Sequence, residues 1–268
     1  MTRYLTAALL FCLTSCNPKN RLDDPSAALV IGLEAAYRPF EFVDQNGQIT
    51  GVSVEIGNEI AKTMGRPVKF ENMQFDGLIP ALQTGRIDMI ISSLSATDER
   101  RQSIDFSDPY VKTGLSVLVS AKSPIRTADD LKAPGRRIAV RISTTGESWS
   151  KANLPEAKLV GLDTDGACVL EVVNGSVDAW VYDQVSVMNY HAQHPDQTRA
   201  LLAPLRVEEW AVGLRKGSDG LREVVDETLG RMRKDGSFTR IADKYLSTEK
   251  KMLLEQGQPF VFDLDAAQ

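Results

Sequence analysis

The chain holds only three cysteines and two histidines in 268 residues, and both shortages narrow what it can be. Cys12 and Cys16 fall in an apolar N-terminal leader, and Cys168 stands alone far downstream, so no internal disulfide framework is available. Cys168 lies in an apolar helical run and reads as a buried, inert thiol. His191 and His194 are three apart on a predicted helix, with no cysteine or acid pair at ligand spacing, so no metal site follows and both are expected on the surface. Charge of one sign is lacking too. With 31 basic and 36 acidic residues the net charge is −5, and no Lys/Arg block offers a footprint for nucleic acid or for an anionic membrane surface. Past the leader, no apolar run is long enough to cross a bilayer. There is no G-x-S-x-G, no phosphate loop and no Ser/His/Asp arrangement, so no cofactor is expected.

What is present begins with a leader. Met1-Thr2-Arg3 gives a short positive start, residues 5–13 are apolar, and Leu13-Thr14-Ser15-Cys16 follows. This is the layout of a signal peptide. The L-T-S-C ending resembles a lipobox, in which Cys16 becomes the lipidated first residue of the mature chain; a plain secretory peptide cleaved nearby is the other reading. Residues 1–16 are thus set aside as leader and 17–27 as a polar tether.

From residue 28 onward, strands and helices alternate. Strands are expected over 28–33, 68–73 and 87–91. Between them run a helix capped by Ser53, with Ile56, Ile60 and Met64 four apart, and a short helix capped by Asp76. Such alternation implies a parallel sheet covered by helices on both faces, with ligands beyond the carboxyl ends of the strands. A fresh strand at 115–119 precedes a second α/β unit: strand 137–140, the hydroxyl-rich loop Ser143-Thr144-Thr145-Gly146, strand 158–162, helix 165–174 and strand 178–182, ending at Asp183. Strand 208–214 and helices 219–234 and 238–246 have no further strand to begin a third unit, so they pack back on the first. The expected architecture is α/β with two parallel-sheet lobes joined by a two-strand hinge around a cleft. Lobe 1 is 28–115 and 212–246, lobe 2 is 116–211, and 247–268 is a C-terminal extension.

Just past the third strand, Ser92, Ser93, Ser95 and Thr97 lead into the turn Asp98-Glu99-Arg100-Arg101. Hydroxyls and a guanidinium in one turn suit a small carboxylate, though on spacing alone a solvated arginine pair suits it as well. The wider sequence points further. Y-R-P-F-E-F at 37–42, F-D-G-L-I-P-A-L-Q-T-G-R-I-D-M-I-I at 75–91, S-A-T-D-E-R at 95–100 and I-D-F-S-D-P-Y at 104–110 follow in order. D-G-S-F-T-R-I-A-D-K-Y-L closes the run at 235–246. Over roughly 29–246 the chain resembles the family-3 extracellular solute-binding proteins, the amino-acid-binding proteins of bacterial ABC importers.

That resemblance implies a type II periplasmic-binding-protein fold and a set of roles. Arg100 would pair with a ligand α-carboxylate, Ser95 would donate beside it, and Thr145 would donate from the second lobe. Ser93 would offer its backbone carbonyl to the α-ammonium, and Asp183 would receive that ammonium as an acid. Tyr37 and Phe75 would line the side-chain pocket, with Glu34 and Arg141 at positions that vary with ligand. Each has a plainer reading. Arg100 could pair with Asp98 or Glu99 on the surface, as Arg101 is expected to. Asp183 could cap the next helix, Tyr37 and Phe75 could be core aromatics, Glu34 could sit in a solvated turn, and Arg141 could act by its backbone alone. The chain also departs from the family. Ser53 stands where some members have an acid that contacts cationic ligands, and Ser143 where many have glycine.

The expected protein is an exported or lipid-anchored binding protein in the periplasm or at the cell surface. It would be a monomer that captures a polar L-amino acid, glutamine or a basic one favoured, and hands it to a permease and its ATPase subunits. It would not be an enzyme. The competing expectation is a periplasmic cyclohexadienyl dehydratase, acting on prephenate or arogenate with the same scaffold and Glu34 as general acid.

Overall fold

A computed structural model describes Leu22 and residues 24–265; the leader and the Cys16 lipidation reading lie outside the described residues. The first half of the chain runs β1 (Leu29–Leu33), a small antiparallel sheet of β2 (Ala36–Tyr37), β3 (Glu41–Val43) and β4 (Ile49–Thr50), then α1 (Val52–Thr63) and β5 (Val68–Asn72). It continues through α2 (Leu78–Gln83), β6 (Met89–Ile90) and α3 (Asp98–Ser103) into the long β7 (Asp105–Ser120). The second half holds β8 (Arg137–Arg141), α4 (Thr145–Asn153), β9 (Lys158–Leu162), α5 (Asp165–Asn174), β10 (Ala179–Asp183) and α6 (Gln184–Gln193). The long β11 (Thr198–Leu214) returns, and α7 (Asp219–Lys234), α8 (Ser237–Tyr245) and α9 (Ser247–Glu255) follow.

The main sheet has the order β5-β1-β6-β11-β7-β10-β8-β9. Strand β1 (L-V-I-G-L) is buried at every position, as a central parallel strand with both faces covered must be. It pairs in parallel with β5 and β6, while β8 pairs in parallel with β9 and β10. Each half is therefore a parallel α/β unit. The halves meet through β7 and β11, which pair antiparallel with each other. Separate clusters of buried residues fill them: Leu78, Leu82, Ile87, Ile90 and Ile104 under the first half, and Val117, Ile138, Val140, Leu154 and Val181 in the second.

The two crossing strands are longer than the sequence suggests. Strand β7 already begins at Asp105, where a strand is expected only from 115, and β11 at Thr198, where one is expected from 208. Proline is tolerated in β7 because Pro109 lies opposite Ala211 where the register shifts, a place that needs no ladder N–H. The ladder also breaks between Leu201 and Arg206. There the Leu202 carbonyl accepts instead from Gln184 Nε2 at 2.8 Å and from Ser116 Oγ at 3.3 Å. Pro204 packs so near Gly114 that a Cβ on the glycine would meet the proline Cβ at 2.6 Å.

Two expected helix caps are corrected. Helix α1 starts from Gly51 with no side-chain cap. Gly51 has φ 123°, and a Cβ there would sit 2.3 Å from the Phe40 carbonyl oxygen, so only glycine turns the chain in that space. Ser53, one turn in, is drawn off to a buried carboxylate instead. Asp76 lies within a 3₁₀ turn, Phe75–Gly77, and α2 begins after Gly77 without a side-chain cap. Asp165 to Asn174 is helical as read, with Gly175 closing it at φ 75°. Cys168 is buried and free, and burial pushes its thiol up to about 12.

Beyond α8 the chain does not trail off. Helix α9 buries Leu253, and Phe260 and Val261 are buried with it. Lys112 N on β7 donates to the Val261 carbonyl at 2.8 Å, and Gln184 Nε2 on α6 donates to Gln258 Oε1 at 2.9 Å. The extension thus packs against both a crossing strand and the second half. No helix of the described residues is long and apolar enough to cross a membrane.

Candidate functional site

Parallel α/β units expose the carboxyl ends of their strands, and here both sets of strand ends open on one narrow cleft. Glu34 follows β1 and Tyr37 ends β2, Ser93 and Ser95 come from the turn after β6, and Phe75 from the 3₁₀ turn after β5. Arg100 comes from α3. Arg141 ends β8, Thr145 opens α4, and Asp183 ends β10. All of these predicted residues line the cleft.

Arg100 is fixed by its short helix, whose cap Thr97 accepts from the Arg100 backbone N–H. Its guanidinium donates to the carbonyl of Ser95 at 3.0 Å and, from the other half, to that of Ser143 at 3.2 Å. Among the described residues no carboxylate lies at ion-pair distance from it. Burial lowers its pKa from the usual value, against the opposing pull of Glu208 and Glu99. Arg101, by contrast, is exposed, with its guanidinium over the Phe106 ring. Two serines in these turns have left-handed backbone: Ser93 at φ 47°, two residues before the Ser95 carbonyl, and Ser143 at φ 61°, whose own carbonyl accepts from Arg100. A non-glycine residue held there costs about 1–2 kcal/mol, which explains why glycine is favoured at the Ser143 position.

Asp183 caps α6, accepting from Ser186 N at 2.9 Å, and also accepts from Tyr37 Oη of the other half at 2.6 Å. Both of these bonds fall on Oδ1, and the residue lines the cleft. Burial pushes its carboxyl up to about 6, with the Tyr37 and Ser186 bonds opposing. Capping and lining the cleft therefore coexist. Tyr37 also packs on Phe40 and Trp210, so it is both a core aromatic and a cleft wall.

Arg141 presents its side chain, not only its backbone. It is ion-paired with Glu34 across the cleft and with Asp165 at 3.0 Å, and all three are buried. Its charge is held above the usual range because Tyr182, Asp165 and Glu34 together outweigh burial. The Phe75 ring lies between the two arginines, 5.4 Å from Arg100 and 5.8 Å from Arg141. Glu34 is thus no solvated turn residue.

Several lining residues were not singled out from sequence. Glu41 is buried and accepts from Ser53 Oγ at 2.5 Å; burial pushes its carboxyl up to about 8, with the Ser53 and Ser93 hydroxyls opposing. Burial thus favours its neutral form, and Ser53 holds it in place. Glu208 and Trp210, on β11, also reach the cleft. Only the E of Y-R-P-F-E-F carried a sequence signal; E-E-W inside a strand carried none. His191 and His194 are half-buried rather than fully exposed, His191 Nδ1 lies 3.0 Å from Thr198 Oγ1, and no group of three or more potential metal ligands occurs among the described residues.

Two parallel α/β units joined by paired crossing strands, with buried charged groups converging from both on one cleft, define a hinged small-molecule binding protein of the type II periplasmic architecture. The chain belongs to the bacterial extracellular solute-binding proteins, family 3, which it matches over residues 29–248. It is 30% identical to the L-cystine-binding protein TcyJ of Escherichia coli K12 over 223 residues, covering 82% of this chain and 83% of that one. Among solved structures, it is similar to an ancestral arginine-binding protein bound to glutamine, with 34% identity, a TM-score of 0.75 and coverage of 82% and 97%. It is also similar to an ancestral amino acid-binding protein described as a precursor of cyclohexadienyl dehydratase, with 35% identity, a TM-score of 0.74 and coverage of 81% and 94%. These relatives are named as binding proteins, not as enzymes.

Proposed function

We propose that this protein captures a polar L-amino acid in the cleft by closing its two lobes, 28–115 with 212–246 and 116–211, and delivers it to an ABC importer. The observation that carries this reading is the pair Arg100 and Asp183. One is a half-buried guanidinium bonded only to carbonyls, the other a buried carboxylate whose Oδ1 takes bonds from both Ser186 N and Tyr37 Oη, and they come from opposite halves of the chain. An α-amino acid matches both groups: its carboxylate takes the fork, its ammonium takes Asp183, and the ligand itself bridges the lobes. The Ser95 and Thr145 hydroxyls would join Arg100 at the carboxylate, and the Ser93 carbonyl would join Asp183 at the ammonium.

At the far end, Glu34 and Arg141 offer an acceptor and a donor already paired with each other. A glutamine side chain, with one donor group and one acceptor, can insert into that pair without leaving a charge unmatched, and a basic side chain can share Glu34. Glutamine is therefore favoured, a basic amino acid next. The dehydratase alternative would need Glu34 as a free proton donor, and its ion pair with Arg141 argues against that. The L-T-S-C leader supports export, with Cys16 as a lipid anchor, and the mature protein acts as a monomer.

Thermal shift of refolded, ligand-stripped protein against the twenty amino acids, prephenate and arogenate tests the proposal. A raised melting temperature with glutamine, arginine or lysine, lost in Arg100→Ala, is expected. Turnover of prephenate would overturn the binding-only account.

A further inference from the structure

Glu208 is the carboxylate the clamp does not need. It sits on β11 where that strand passes the cleft, and it is buried. Its Oε2 accepts from Ser95 Oγ of the first half at 2.7 Å and from Thr145 Oγ1 of the second at 2.9 Å. Its Oε1 is forked by Nε and Nη2 of Arg206. Ser95 and Thr145 are the hydroxyls proposed above to hold a ligand carboxylate. Each has a single proton to donate, and in this arrangement both protons go to one oxygen of Glu208. A second carboxylate cannot be served while Glu208 is seated, and two carboxylates sharing these donors would repel.

We propose that Glu208 is a carboxylate the protein supplies to its own cleft: in the closed conformation it bridges the two halves through Ser95 and Thr145 as a latch, and a ligand carboxylate displaces it from both hydroxyls as the lobes close on the ligand. The displaced group has somewhere to go, because Arg206 is already bound to its other oxygen and is half in solvent. Rotation toward Arg206 keeps that ion pair while releasing both hydroxyls. The latch sets a threshold: a ligand must offer a carboxylate good enough to replace Glu208 on the hydroxyls and to engage Arg100, which Glu208 does not pair with. Amines and amides lacking that carboxylate do not open it. The ligand-exchange half of this inference rests on the amino-acid reading above; the latch itself does not.

The test uses spin labels on Lys69→Cys and Lys158→Cys, exposed on the outer strands β5 and β9 of the two halves, with Cys168 buried and unlabelled. In ligand-stripped protein a short-distance, closed population is expected beside a longer, open one. Glu208→Ala should deplete the short population, and Glu208→Gln, which keeps the shape, should do so part-way and guards against misfolding of the alanine variant. The amino acid that stabilises the wild type should then bind Glu208→Ala about tenfold more tightly. A ligand-free distance distribution unchanged in both variants would overturn the latch, as would a tenfold loss of affinity, which would make Glu208 a support of the site. If no amino acid binds any form yet the distances lengthen, the latch stands and the amino-acid reading falls.

Discussion

Two arginines face the same cleft and have opposite surroundings. Arg141 meets two carboxylates, Glu34 and Asp165; Arg100 meets two main-chain carbonyls and no carboxylate at ion-pair distance among the described residues. Arg141 is buried and Arg100 half-buried, so both charges were costly to place, the first more so. The difference shows what each is for. A buried guanidinium whose charge is matched within the chain holds the protein together, and its removal is felt in folding. One whose charge is left unmatched is a binding group awaiting a partner from outside.

The largest expected effect comes from breaking the matched side. Arg141→Met leaves Glu34 and Asp165 buried without a counter-charge, which costs about 3–5 kcal/mol of stability; a urea melt of the ligand-free protein measures it. Arg100→Ala should do the reverse, leaving that urea midpoint nearly unchanged while weakening amino-acid binding by about 2–5 kcal/mol in calorimetric titration. If Arg100→Ala unfolds the protein and Arg141→Met only weakens binding, the comparison is inverted. Acid sharpens it further. Asp183 is held at about 6 by burial in the empty protein, and a ligand ammonium favours its ionised form. Affinity should therefore be full above pH 6 and fall about tenfold per pH unit below it, a slope that Asp183→Asn removes along with most of the affinity. The smallest effect concerns the carbonyl that Arg100 uses. Ser143→Gly relieves the left-handed backbone at φ 61° and should add about 1 kcal/mol of stability with little change in binding.

Much of this molecule was legible in the sequence because its signals are local. The apolar run of β1, the four-residue spacing of Ile56 and Ile60 and the Gly closing α5 each state their element outright. The ordered motifs placed Arg100, Ser95, Thr145 and Asp183 around one cleft before any coordinates. What escaped is non-local. Ser53 and Asp76 have the chemistry of caps, but Gly51 is forced by a carbonyl far from α1, and Ser53 is claimed by Glu41. Asp165 looked like the start of a helix, because nothing in the chain announces that Arg141 lies across from it. Glu208 hid in E-E-W, where strand alternation gives a face but not what that face meets. The crossing strands run longer than expected, since the bulged pairing with β11 makes room for Pro109 and two aspartates.

That bulged pairing has a mechanical meaning. Strands β7 and β11 form a ribbon that runs the whole way from one half to the other, a leaf spring in place of a pin. Such a spring bends along its length unless it is notched, and it is notched between Leu201 and Arg206, where rungs are missing and Ser116 and Gln184 side chains hold the carbonyl of Leu202. The notch lies a short step along the strand from Glu208, and because Gln184 also grips Gln258, the C-terminal extension is fastened beside it, so any bending of the spring at that point has to carry the extension with it.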